Sequence, residues 1–134
     1  MGDFRRLRAW KEAQRLAILS RDLIGVLPRV EMFSLGAQWR RAADSVVLNI
    51  AEGAAQSSPR QFRRYLEIAK GSLDELDAVF ELAEGFHYLS PGKLREVRLA
   101  RTHCIRLVAA LARSISRDLS RHAGQRLTRQ RLTR

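Results

Sequence analysis

An all-α protein, folded as an antiparallel up-down-up-down four-helix bundle, follows from three observations on this sequence. The prolines, Pro28, Pro59 and Pro91, fall at breaks in the apolar periodicity and divide the chain into stretches of similar length. Each stretch repeats apolar residues at spacings of three and four, the period of an amphipathic helix. No alternating run of Val, Ile and Thr and no Asn-Gly or Asp-Gly pair signals a hairpin. Short connections between long helices favour neighbours that run in opposite directions.

The first helix is expected over 4–26, with Phe4, Leu7, Ala13, Leu16, Ala17, Leu23, Ile24 and Leu27 toward the core. Leu27-Pro28 ends it, because a residue before proline is pushed out of the helical region. The second helix is expected from Ser34, as N-cap, to Gly53, the glycine that commonly follows a helix end. Its apolar face is Leu35, Trp39, Ala42, Val46 and Ile50. Ser57 or Ser58 caps the third helix, and Pro59 opens it. Its stripe is Phe62, Leu66, Ala69, Leu73, Leu76, Phe80 and Ala83. Gly71-Ser72 interrupts this helix at a cost of about 1 kcal/mol relative to Ala, and a glycine there commonly admits another helix or chain. Ser90 and Pro91 start the fourth helix, whose stripe is Leu94, Val97, Ala100, Cys104, Leu107, Val108, Leu111 and Ile115. Residues 1–120 form the bundle. Residues 121–134, which repeat Leu-Thr-Arg, read as a basic, disordered tail.

The chain of 134 residues suits one domain with one core. Its net charge of +11 is unevenly spread. Residues 1–41 hold nine basic and four acidic side chains, residues 42–92 four and eight, and residues 93–134 twelve and two. Positive ends around an acidic middle point to a polyanionic partner. Arginine outnumbers lysine by 22 to three, and arginine suits bidentate phosphate contact. A GC-rich genome would also produce that excess. The lone Cys104 excludes an internal disulfide and reads as a small buried hydrophobe. MGDFRRLRAW holds no apolar signal region, and no run nears the ~18 apolar residues of a membrane span. A cytoplasmic location without membrane contact is expected.

One feature stands out on the second helix. Gln38, Arg41, Ser45, Asn49 and Glu52 recur at spacings of three and four, making a polar ladder beside the apolar face. A merely solvated face would carry more Lys and Glu. Gln, Ser and Asn suit hydrogen bonding to one another or to a partner. Ser72 and Glu75 of the third helix are candidate companions.

Several runs resemble a known family. They are FRRLRAWKEAQRL at 4–16, Pro28 with Glu31, LGAQWRRAADSVVLNIAEG at 35–53, and SPRQFRRYLEIAKGSLDELDAVFELA at 58–83. The chain is similar to the bacterial four helix bundle proteins first noticed as reading frames inside 23S rRNA intervening sequences. Accessory variability proteins of diversity-generating retroelements are their relatives. The resemblance implies a four-helix protomer that assembles into a ring-like homopentamer. In the retroelement members a basic surface binds nucleic acid and a reverse transcriptase. Two positions depart from the family pattern, Val47 and the Ser58-Pro59 pair.

These residues support two candidate sites. The ladder with Ser72 and Glu75 is either a ligand site or a polar network between helices or copies, with Arg41 paired to Glu52 or Glu75. The network reading is preferred, because buried polar groups fix register and oligomer state. The second site is the basic set Arg5, Arg6, Arg8, Lys11 and Arg15 with Arg95, Arg98, Arg101 and Arg106, continued by the arginines after residue 120. It would contact phosphates without reading sequence. Five copies of +11 would give +55, so several copies could engage one strand.

Catalysis has no support. His87, His103 and His122 lack ligand spacing, and Glu81/Glu84 lacks the Glu-x-x-His of di-iron bundles. Asp44-Ser45 is no nucleophile elbow, and glycine-rich phosphate loops are missing. No enzyme activity, metal or cofactor is expected. The expected function is a homo-oligomeric scaffold or adaptor that binds RNA or DNA, with a reverse transcriptase as the further partner implied by resemblance. The alternative is a structural protein-partner module whose positive charge is incidental.

Overall fold

The computed structural model describes residues 2–133. Four α-helices follow one another: α1 (Arg8–Ile24), α2 (Leu35–Ala55), α3 (Pro59–Gly85) and α4 (Pro91–Leu132). Short 3-10 helices at Phe4–Arg6 and Arg29–Glu31 precede α1 and α2, and no strand occurs among the described residues. Each helix packs on two others, α1 on α2 and α4, and α3 on α2 and α4. This is an all-α four-helix bundle.

Contacts between neighbours descend along one helix as they ascend along the other, the order of antiparallel neighbours. On α1 and α2, Arg21 meets Asp44 and Ile24 lies near Gly36. Glu12 meets His103 and Arg15 meets Glu96 on α4. Gln38 meets Glu75, Ser45 meets Ser72, and Gly53 faces Phe62 across α2 and α3. Glu84 meets Arg98, and Arg63 meets Ser116 across α3 and α4. One end of the bundle therefore gathers the start of α1, the end of α2 and the start of α3.

The apolar stripes of α2 and α3 are buried at every expected position. Trp39 is fully enclosed, with its ring edge-on to Phe80 at 5.4 Å between centroids. On α4, Leu107 and Leu111 are only partly covered, and the other expected positions are buried. On α1 the buried residues are Ala9, Ala13, Leu16 and Ser20, while Phe4, Leu7, Ala17, Leu23, Ile24 and Leu27 pack on the core from its margin. Small residues at the centre of α1 bring its backbone close to its neighbours.

Several local details differ from the sequence reading. Leu7 is extended between the first 3-10 helix and α1, so the first helix begins at Arg8. Ser34 does not cap α2: its hydroxyl donates to Glu31 at 3.1 Å. Ser58 and Ser90 do cap, accepting from the amides of Gln61 and Lys93. Gly53 lies inside α2, which runs on to Ala55. A Cβ there would sit 2.9 Å from Phe62 Cδ1 and from Tyr65 Cβ. Its role is close helix packing, not helix termination. Gly71 has the opposite surroundings, with nothing within 4 Å of an added Cβ. No helix among the described residues takes up the space it leaves. At the end of α3, His87 adopts φ 59°. The amides of His87 and Tyr88 then donate to Glu84 and Ala83 at 2.9 and 3.0 Å, closing the last turn in the Schellman pattern.

The fourth helix is longer than its apolar stripe. Burial ceases near Leu119, yet α4 continues to Leu132 with every residue from Ser120 to Thr133 exposed. Arginine, glutamine and leucine are good helix formers, and Thr128 donates back to Gly124 at 3.0 Å. Of the residues read as a tail, 121–132 are thus helical, as an exposed extension of α4, and Arg134 lies outside the described residues.

Candidate functional site

Two ladder residues of α2, Gln38 and Ser45, reach α3. Asn49 Nδ2 donates to the carbonyl and hydroxyl of Ser45 at 2.8 and 3.0 Å. Ser72 Oγ donates to Ser45 Oγ at 2.9 Å. Together they form a half-buried chain from α2 to α3. Nearer the start of α2, Gln38 Nε2 donates to Glu75 Oε1 at 3.0 Å in an exposed position. Arg41 does not join this network. It forms no ion pair with Glu52 or Glu75 among the described residues, and all three side chains are exposed. The register explains the difference. Glu75 lies opposite Gln38, one turn before Arg41, while Glu52 lies near the far end of α2. The structure therefore joins Gln38 to Glu75 and Ser45 to Asn49 and Ser72, and leaves Arg41 and Glu52 outward.

The basic set divides by partner. Arg98 bridges Glu81 and Glu84 at 3.2 and 2.9 Å and is 27% exposed. Arg101 is more enclosed, donating to the carbonyl of Leu73 at 3.0 Å with Asp77 at 3.7 Å. Arg15 meets Glu12 and Glu96, both at 3.1 Å. Arg5 meets Asp3 at 3.1 Å and lies 4.5 Å from the Phe4 ring centroid. The amide of Arg5 also binds the Asp3 carboxyl and holds it below its ordinary pKa. Arg98 and Arg101 thus meet carboxylates of the acidic middle of the chain, and Arg5 and Arg15 meet carboxylates outside it. Arg6, Arg8, Lys11, Arg95 and Arg106 are exposed and make no ion pair among the described residues.

Residues outside the expected set complete a basic surface. At about 100° per residue, Arg95, Arg106, Arg113 and Arg117 fall within about 40° of one another on α4. Arg131 returns to the same line after about 54 Å of helix from Arg95. All five are exposed. Arg113 and Arg117 also share a hollow of about 530 Å³ with Arg63, Ser116 and one carboxylate, Glu67, and Arg60 and Arg64 line the adjoining one beside the same Glu67. Arg113 and Arg117 stand seven and eleven residues beyond Arg106, so their spacing along one helix face was the signal that could have found them. Arg60, Arg63 and Arg64 needed the register of α3 against α4.

Other chemistry is sparse. Cys104 is buried, and burial pushes its thiol from 9.0 up to about 12. No group of three or more His, Cys, Asp or Glu among the described residues could hold a metal ion. No described helix is long and apolar enough to cross a membrane.

Comparison with protein families places this arrangement. The family model described as 23S rRNA-intervening sequence protein matches residues 5–123, which take in all of α1 to α3 and the packed part of α4. No curated protein matches the chain.

Proposed function

Since the chain belongs to the 23S rRNA-intervening sequence protein family, we propose that it is a homo-oligomeric scaffold or adaptor that binds RNA or DNA through its basic surfaces. The observation that carries this reading is a line of exposed arginines on α4, Arg95, Arg106, Arg113 and Arg117, that make no ion pair among the described residues. Arg15, Arg98 and Arg101 are held by the chain's own acceptors. Arg95, Arg106, Arg113 and Arg117 keep their charge free along one exposed face. Such a stripe follows a phosphate backbone without reading bases. The family's name, with its reference to ribosomal RNA, is in keeping with an RNA partner.

Assembly into copies draws support from the apolar surface left uncovered. Ile18 and Leu48 are 58% and 64% exposed and line one shallow hollow between α1 and α2 with Ala17 and Val47. A pentamer, and service to a reverse transcriptase, are the finer forms of the proposal and come from resemblance. Non-enzymatic action is part of the same reading.

The test is a gel-shift titration of RNA and DNA at two salt concentrations, with the chain and an R106Q/R113Q/R117Q variant. Losing up to three phosphate contacts would flatten the salt slope by about 0.7 per contact for single strands. No shift of either nucleic acid at low salt would leave the protein-partner module as the function. In that case the exposed Ile18 and Leu48 would meet a different protein instead of a second copy. Light scattering tests assembly directly: a lone folded chain at working concentration would end the oligomer proposal.

A further inference from the structure

The turn from α1 into α2 encloses a hollow of about 630 Å³ that is separate from the α4 stripe. Arg29, Arg40 and Arg41 line it over an apolar floor that includes Ile24, with Met32 and Phe33 beside it. All three arginines are exposed and make no ion pair among the described residues. Arg21, also on the wall, is already matched by Asp44 at 2.7 Å. Three guanidiniums around one cavity repel each other unless an anion sits among them.

The aromatic at this site has no packing role. Phe33 is 90% exposed and Met32 is 56% exposed. Ordinary folding would cover a phenyl ring of that size. The segment bearing it is nevertheless fixed. Amides of Glu31, Met32 and Ser34 donate to Pro28, Arg29 and Glu31 at 2.9, 3.1 and 3.2 Å. Gly36 lets the turn lie directly on α2, since a Cβ there would meet the Glu31 carbonyl at 2.9 Å. A held aromatic next to unpaired guanidiniums matches a nucleoside phosphate. The ring offers a stacking face to a base, and arginine forks fit phosphate oxygens.

We propose that this hollow is a nucleotide subsite, in which Arg29, Arg40 and Arg41 hold a phosphate and Phe33 stacks on an unpaired base of a single strand. It deepens the nucleic-acid reading above and rests on it for its occupant. The α4 stripe would follow the backbone of any strand or duplex. The hollow would add a preference for single strands, because a base inside a duplex has no free face.

The experiment measures binding of a labelled single-stranded RNA and its duplex to the full chain and to F33A, R40Q/R41Q and R106Q/R113Q/R117Q variants. Phe33, Arg40 and Arg41 are exposed, so their replacement leaves the core intact. The expected result for F33A is an affinity loss of about fivefold or more for the single strand, with the duplex unchanged. R40Q/R41Q should flatten the single-strand salt slope by about 1.4. Equal single-strand binding by F33A and the parent chain overturns the subsite. If the R106Q/R113Q/R117Q variant still loses affinity in that case, the nucleic-acid reading stands without it. A parent chain that binds no nucleic acid removes both. Reduced oligomer mass of F33A with unchanged affinity would assign Phe33 to contact between copies and overturn the subsite. Adenosine monophosphate is titrated as the free source of the same chemistry. Its saturable binding, lost in F33A while single-strand affinity stays unchanged, would overturn the strand as occupant.

Discussion

Two glycines show how much of a residue's meaning comes from across the bundle. Gly53 and Gly71 both lie within helices, but only Gly53 faces another chain segment at close range. Gly53→Ala should destabilise the protein by about 1–3 kcal/mol, because Phe62 and Tyr65 must move. Gly71→Ala should stabilise it by about 0.5–1 kcal/mol, through helix propensity at an open position. Urea melts of the two variants read both signs. Cys104 gives a third measurement. Its folded-state pKa of about 12 lies above the 9.0 of a free thiol, so folding favours the protonated form. The contribution is fully present below the unfolded value and is lost as pH rises from about 9 toward about 12. Stability should therefore fall across that window, and less so in Cys104→Ala. At pH 8 a thiol reagent should label the chain only after denaturation.

Among the helices, α2 and α3 were the most legible in the sequence. Their apolar repeats are regular, and every residue assigned to those stripes is buried. Periodicity identifies a face, but it does not identify what the face meets. Arg98 and Arg101 have the spacing of solvated arginines, yet their carboxylate and carbonyl partners come from α3. Arg41 shares a face with Ser45 but faces no carboxylate. Ends were harder still. Ser34 had the right chemistry for a cap, but a nearby carboxylate, Glu31, took its hydroxyl. The end of α4 could not be read from burial patterning, because its last turns bury nothing and rest on local propensity. The ladder makes its own prediction. If α2 and α3 present this network to a second copy, Asn49→Leu and Glu75→Ala should lower the oligomer mass in light scattering. Nucleic-acid affinity measured above the dissociation concentration should change by less than about threefold. Unchanged mass in both variants would confine the network to the protomer.

Across the whole fold, the charge distribution has a clear division of labour. Carboxylates of the acidic middle pair with Arg98 and Arg101, while arginines without an ion pair among the described residues line α4 and the hollow at the start of α2. Packing and charge are therefore separable along α4. Ending the chain after Leu119 removes no buried residue. The shortened protein should melt within about 2 °C of the full chain, since surface changes cost little stability. Its affinity for nucleic acid should weaken, with a shallower salt slope. Calorimetry and gel shifts on the same preparation test the two halves together.

That separability has a practical side. The outer turns of α4 have no tertiary partner, so opening them costs little, and Arg121, Arg126, Arg129 and Arg131 all lie there. Trypsin should therefore nibble the chain inward from this end and stall where Ile115 enters the core. A stock exposed to traces of the protease would keep its melting curve while its grip on a polyanion faded.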